Sequence, residues 1–245
     1  MKLKMIVKSL LGKFPGTEKE LPVQEDFPPD FDAPTIAIIR SVKPYTLTSS
    51  ESLESLCSSV RYIIRNQIPG DFVECGVWRG GSVMAMIYTL KELGIADRSI
   101  YLYDTFEGMT EPTSTDVDLN GVAAKDLMPG YGWVRVGINE VRQNILSLGY
   151  PADKIHFIQG KVEDTLPRQA PPQLALLRLD TDWYESTLHE LECLYPRMAK
   201  GGVLIIDDYG HFQGARKAVD EYLEKEKIKM YLHRVNYTVR AGVIQ

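Results

Sequence analysis

The chain is poor in cysteine, in long apolar runs and in positive charge, and each shortage narrows what it can do. Its three cysteines, Cys57, Cys75 and Cys193, are too few and too scattered for a disulfide framework or a zinc site. They read as small apolar filler and point to a reducing compartment, the cytoplasm. No uninterrupted apolar stretch approaches the roughly 18 residues that span a bilayer. With 28 Lys and Arg against 33 Asp and Glu, a net charge of -5, the chain offers no basic face to nucleic acid. Its apolar share is ordinary, 44% of 245 residues, and supports one sizeable core.

Residues 1–14 set Lys2, Lys4, Lys8 and Lys13 among Leu3, Ile6, Val7, Leu10 and Leu11. Lys8 interrupts the apolar centre that a secretory signal needs, so an amphipathic helix is expected. Such a helix packs on the domain or on a second subunit, which favours a homo-oligomer, a dimer or larger. Residues 16–34, rich in Pro, Glu and Asp, read as an extended arm without a core. Thr48-Ser-Ser-Glu51 reads as a capping box that opens a helix with Leu53, Leu56, Val60 and Ile64 inward. Pro69-Gly70 ends it. We therefore divide the chain into an N-terminal arm with helices, residues 1–66, and a main domain, residues 67–245.

Phe72 to Cys75 is a short strand, Gly76 to Gly81 a turn, and Val83, Ile87 and Leu90 the buried stripe of a helix. A strand, a glycine-rich turn and a helix let a ligand approach the backbone closely. The next strand ends in Asp104, at about the 20-residue interval where nucleotide-binding folds place a carboxylate for ribose hydroxyls. Residues 107–133 are polar and carry no periodicity, which suggests a functional lid. A third strand, residues 154–159, leads into Gly160, Lys161 and Val162.

Leu174-Ala-Leu-Leu-Arg-Leu-Asp180-Thr-Asp182 has too few polar positions for a half-exposed strand, so it reads as one buried on both faces of a parallel sheet. Gly201-Gly-Val-Leu-Ile-Ile-Asp207-Asp208 repeats the pattern. A helix with Ala215, Val219 and Tyr222 inward follows, then two closing strands, residues 230–235 and 239–244, in a hairpin. The fold class is α/β: a doubly wound, Rossmann-like sheet, mostly parallel with an antiparallel C-terminal strand, plus an N-terminal helical extension. Ligands of such sheets bind beyond the carboxyl ends of the strands. Four carboxylates delivered there suggest a divalent metal site with a general base.

Plainer readings compete. An Asp before a helix start, such as Asp182, is by itself more often a cap. That excuse does not cover Asp180, Asp207 and Asp208 together, because adjacent like charges need a cation or a proton. Asp104 has a capping alternative, and a lone His211 is more often structural than catalytic. A nicotinamide oxidoreductase on the same fold also stays open, although Glu74-x-Gly76-x-x-x-Gly80-Gly81 is not the G-x-G-x-x-G turn.

Four longer motifs are more specific: Phe72-Val-Glu-Cys-Gly-Val-Trp-Arg-Gly-Gly81, Tyr103-Asp-Thr-Phe-Glu-Gly-Met109, Leu177-Arg-Leu-Asp-Thr-Asp-Trp-Tyr184 and Ile206-Asp-Asp-Tyr-Gly-His-Phe-Gln-Gly-Ala-Arg-Lys-Ala-Val219. Together they resemble the macrocin O-methyltransferase family, which methylates sugar hydroxyls of natural products such as macrolides and aminocoumarins. The resemblance runs from about Tyr45 to the C-terminus. It implies that Glu74, Gly76 and Ser82 lie along the methionine and ribose parts of S-adenosylmethionine, with Asp104 on the ribose hydroxyls. It sets Phe106, Gly160, Lys161 and Val162 at the adenine. Asp180, Asp207 and Asp208 would bind magnesium, Asp182 would be the base, and His211 would contact substrate.

The same carboxylates resemble those of catechol O-methyltransferases, which carry a lysine base three residues past the first Asp. That position is Trp183 here, which moves the base to Asp182 and the substrate towards sugars. A catechol-type enzyme and a catalytically silent S-adenosylmethionine-binding protein remain the alternatives.

Overall fold

The computed structural model describes residues 27–127 and 135–245. The helix expected over residues 1–14, most of the arm and the last part of the expected lid lie outside them. Phe31–Gln245 form one compact unit.

Helix α1 (Ala33–Val42) begins behind Asp32, whose side chain accepts a hydrogen bond from the Thr35 amide at 2.7 Å. Pro34 sits in its first turn, where the missing N–H costs nothing. Ile38, Ile39 and Val42 are buried. This helix starts inside the stretch read as an arm, a correction at the arm's end.

Helix α2 (Ser50–Arg65) corrects the capping box as well. Its N-cap is Ser49, which accepts from the Ser52 amide at 3.2 Å, so the box is out of register by one residue. The Thr48 hydroxyl bonds elsewhere, to Arg178. The inward stripe of α2 is as expected at Leu53, Leu56 and Val60.

Strand β1 (Asp71–Cys75) leads into α3 (Gly81–Glu92), then β2 (Ile100–Asp104), α4 (Ala124–Leu127), α5 (Ile138–Leu146), β3 (Ile155–Gln159) and α6 (Val162–Thr165). Strand β4 (Leu174–Leu179) is followed by α7 (Tyr184–Leu194), β5 (Met198–Ile206), α8 (Gln213–Lys225), β6 (His233–Arg234) and β7 (Arg240–Val243). The sheet order is β3-β2-β1-β4-β5-β7-β6. The first five strands are parallel; β7 runs antiparallel to both β5 and β6, so the closing pair is a hairpin.

Every residue of β4 is buried, as its apolar run requires. One face of the sheet joins Val73, Leu177, Leu179, Leu204 and Ile206 to Leu191 and Leu194 of α7 and to Val219 and Tyr222 of α8. Helices α1, α2 and α3 pack together, with α2 also against β4 and β5. The chain departs to opposite directions of the sheet from β1 and β4, and a crevice opens where the strand order reverses.

The described part of the expected lid is more ordered than its composition suggests. Val117 and Ala123 form a bridge, Asp118 bridges to Phe212, and α4 follows. The polar side chains there bond the backbone, which is why no hydrophobic period announced them.

Candidate active site

The glycine turn after β1 is fixed by two neighbours. Gly76 has φ 80°, and a Cβ there would come within 1.9 Å of the Asp180 carbonyl oxygen, so only glycine lets the turn seat against the end of β4. Asp104 staples the turn from β2: its Oδ2 accepts from the amides of Val77 (2.7 Å) and Trp78 (3.1 Å). Its Oδ1 accepts from the Phe106 amide at 2.7 Å. Asp104 thus has a structural task as well as a place in the wall of the crevice.

That crevice is a cavity of about 940 Å³. Glu74, Gly76, Ser82 and Asp104 line it at the glycine turn, and Gly160, Lys161 and Val162 at the end of β3. Asp180, Asp182, Asp207 and His211 line it at the ends of β4 and β5. Phe106 does not: it is buried under the turn with φ 52°. Asp208 is also behind the wall. Two buried polar atoms near the turn, Glu74 Oε2 and Trp78 Nε1, have no hydrogen-bond partner among the described residues. Both atoms are closed off from solvent, and the other Glu74 oxygen is taken by Arg178.

Where β4 and β5 end, Asp180, Asp207 and Asp208 each offer an oxygen, all within 4.8 Å of one another. Arg178 sits against this cluster, 2% exposed. Its Nη1 donates to Glu74 Oε1 at 2.6 Å and to Asp180 Oδ2 at 2.5 Å. Its Nη2 donates to Asp207 Oδ1 at 2.5 Å and to Thr48 Oγ1 at 3.2 Å. One cation therefore faces three carboxylates in a desolvated place, and removing it would cost about 3–5 kcal/mol by leaving buried charge uncompensated.

Protons supply the rest of the balance. Burial pushes the Glu74 carboxyl up to about 8 against the pull of Arg178. Burial also raises Asp182 to about 7 and Asp207 to about 7, and carries Asp208 well above the carboxylate range. The Asp182 and Asp208 side chains are within hydrogen-bonding reach of each other. These are the two ways to neutralise such a cluster: protons, or a cation of matching hardness.

Asp182 is not a helix cap. The N-cap of α7 is Trp183, without a side-chain cap bond, and Asp182 holds φ 68° on the cavity wall. The capping task falls to Asp116, fully buried, whose Oδ1 accepts from the Tyr184 amide at 2.8 Å. Its Oδ2 accepts from both the amide and the hydroxyl of Thr113. Beneath the loop, Thr181 donates to Glu190 at 3.0 Å; Glu190 is wholly buried, and burial pushes its carboxyl well above the ordinary range.

Residues 45–49 and the hairpin residues Asn236, Tyr237 and Thr238 form a further wall. The Asn236 amide nitrogen donates to the hydroxyls of Ser49 (2.9 Å) and Ser52 (2.8 Å), joining the hairpin to α2. His211 Nδ1 is 2.9 Å from the Tyr237 hydroxyl. Arg178, Asp116, Trp78, Asn236 and Tyr237 were not singled out as site residues from the sequence. A charge inside the apolar run of β4 was the one available signal, and it pointed to Arg178.

An open sheet of five parallel strands with a reversed seventh strand, its glycine turn stapled by an acid at the end of β2, is the architecture of class I S-adenosylmethionine-dependent methyltransferases. The macrocin-O-methyltransferase (TylF) family model matches residues 25–241, and the chain belongs to that family of O-methyltransferases. It is 36% identical to the demethyldecarbamoylnovobiocin O-methyltransferase of Streptomyces niveus, over 74% of this chain and 68% of that one. It is 35% identical to an 8-demethyl-8-(2,3-dimethoxy-alpha-L-rhamnosyl)-tetracenomycin-C 4'-O-methyltransferase of Streptomyces olivaceus, over 83% of this chain and 78% of that one. Among solved structures, the O-methyltransferase NovP superposes with a TM-score of 0.73 at 34% identity, covering 82% of each chain. The calicheamicin methyltransferase CalS11, at 18% identity and a TM-score of 0.64, shares the fold, over 94% of this chain and 99% of that one.

Proposed function

We propose that this enzyme moves a methyl group from S-adenosylmethionine to a sugar hydroxyl of a glycosylated natural product, macrolide- or aminocoumarin-like, with magnesium at Asp180, Asp207 and Asp208. The observation that carries the reading is the cluster of three close carboxylate oxygens beside a cavity that Glu74, Gly76, Ser82 and Asp104 line at the glycine turn. Relatives named for a rhamnosyl-bearing tetracenomycin and for the 3'' position of mycinamicin III support the substrate class.

The residues fit both groups. Glu74, Gly76 and Ser82 would lie along the methionine and ribose parts of the cofactor, and Asp104 would take the ribose hydroxyls beside the stapled turn. Gly160, Lys161 and Val162 would border the adenine; Phe106 would support that end from beneath the turn. The cofactor supplies an electrophilic methyl group. All three candidate metal ligands are hard carboxylate oxygens, the donor type magnesium prefers. The cation supplies positive charge beside an acceptor oxygen that is too weak an acid to react unaided.

Asp182 would accept the acceptor's proton at its carboxylate. Asp182 lines the cavity next to Asp180 and has no capping task, which places its carboxylate for general-base work. Asp208 would hold the cation with Asp180 and Asp207, and Asp182 beside them would receive the acceptor's proton. His211 and Tyr237, at the hairpin wall, would orient the sugar. Trp183, at the position of a catechol-type lysine base, packs edge-on against Phe212 and donates its ring N–H to the Thr110 carbonyl at 3.0 Å.

The test is turnover of glycosylated macrolide and aminocoumarin acceptors with labelled S-adenosylmethionine, in EDTA and after magnesium is restored. Loss of turnover in EDTA with cofactor binding retained supports the reading. Full turnover in EDTA by metal-free protein overturns the magnesium assignment, and methylation of catechols alone overturns the sugar.

A further inference from the structure

We propose that Arg178 is a positioning residue for the cation site: its guanidinium fork aligns Asp180 and Asp207 so that their carboxylates meet Asp208. The inference rests on the magnesium reading above. It extends that reading to a residue which touches neither substrate nor reacting atoms.

The geometry argues for alignment over charge. Arg178 takes one oxygen of Asp180 through Nη1 and one of Asp207 through Nη2, so two carboxylates from neighbouring strands are held by one rigid plane. The plane is itself held. Glu74 on β1 shares Nη1, and Thr48, in the segment before α2, accepts from Nη2. Glu74 is also Arg178's register neighbour in the sheet. Four segments of the chain thus fix a single guanidinium that is 2% exposed.

A positive charge beside a cation site opposes binding by Coulomb's law. If charge were its only effect, the site would bind cations better without it. Placing Arg178 there is favourable to the site only if fixed ligand orientation outweighs that repulsion. Residues that orient metal ligands from behind typically change affinity by about 10- to 100-fold when altered. The two accounts therefore predict opposite signs.

The experiment titrates full-length protein with Mn²⁺ as the probe and counts free ion by electron paramagnetic resonance. Wild type is compared with Arg178→Lys and Thr48→Val. Lysine keeps the charge but cannot hold two carboxylates in one plane, so Arg178→Lys should bind Mn²⁺ about 10- to 100-fold more weakly. Thr48→Val, which only frees one side of the guanidinium, should show a smaller loss of the same sign. A merely structural role would lower the melting temperature and leave Mn²⁺ affinity unmoved. Affinity in a folded Arg178→Lys protein that equals or exceeds wild type overturns the proposal. If that variant gives no cooperative melt, an unchanged affinity in Thr48→Val overturns it instead. No Mn²⁺ binding by wild type sinks the magnesium reading and this proposal together, whereas wild-type binding with unmoved variants sinks this proposal alone.

Discussion

Asp116 accepts a hydrogen bond from the Tyr184 amide at 2.8 Å, so the first turn of α7 is capped by a residue 68 positions earlier in the chain. The same oxygen, Oδ1, lies 2.3 Å from where a Cβ on Gly214 of α8 would be. One carboxylate thus seats the loop before α4 against the starts of two helices.

That contact reverses a familiar rule. Gly→Ala inside a helix usually stabilises by about 0.5–1 kcal/mol. Gly214→Ala should instead destabilise, because the new methyl displaces Asp116 from the Tyr184 amide. Asp116→Ala should cost about 1.5–3 kcal/mol, the range for a hydrogen bond to a charged group. Urea melts decide it; a Gly214→Ala protein more stable than wild type would show that the loop yields freely.

Asp182→Asn preserves shape and removes the proton acceptor. Turnover at saturating substrate should fall roughly 10²- to 10⁴-fold, with cofactor affinity retained. Since α7 takes its cap from Asp116, stability should hardly change. Near-normal turnover in the Asn variant would place the base elsewhere.

Asp104 combines a staple with the expected ribose contact, and a ligand series separates the two. Asp104→Ala should weaken S-adenosylhomocysteine binding about 10- to 100-fold, as loss of charge-assisted hydrogen bonds implies. Wild type should also discriminate against a ribose-deoxygenated analogue, and the variant should not. If calorimetry shows the same discrimination in both proteins, Asp104 only staples the turn.

The metal-free protein should lose stability as pH rises, the reverse of common carboxylate behaviour. Glu74, Asp182 and Asp207 are lifted to about 8, about 7 and about 7 from ordinary values of 4.5 and 3.8. The folded state then binds these protons more tightly than the unfolded state. Their contribution is full below about pH 4 and is lost as pH passes through 7 to 8. Thermal melts in EDTA from pH 6 to 8.5 should show a falling midpoint, and magnesium should flatten the fall. A midpoint that rises across this range would mean the carboxyls are ionised throughout.

The strands and their order of use were legible because apolar runs ending in Asp104, Asp180, Asp207 and Asp208 mark buried parallel strands and their carboxyl ends. The inward stripes of α2, α3 and α8 were legible from helical spacing. Helix α1 was obscured by the prolines before it, although Asp32 and Pro34 form an ordinary start. Asp116 stayed hidden because a cap supplied across 68 positions leaves no local pattern. The loop's order comes from side chains such as Asp118 bonding the backbone of Asn120 and Val122, a chemistry with no period. Arg178 stood in view inside a quoted motif, but only the fold shows three carboxylates converging on it.

The Asn236 clasp on Ser49 and Ser52 has a consequence during synthesis. On a ribosome, β1 and β2 emerge early, but β1 also pairs with β4, and the glycine turn takes its seat against Asp180 at the end of β4. The wall beside Tyr237 waits for a hairpin made near the end. A nascent chain can therefore seat its glycine turn only once residue 180 is available, still before it has a complete groove for an acceptor. A chain arrested before residue 236 would be left with the first and without the second.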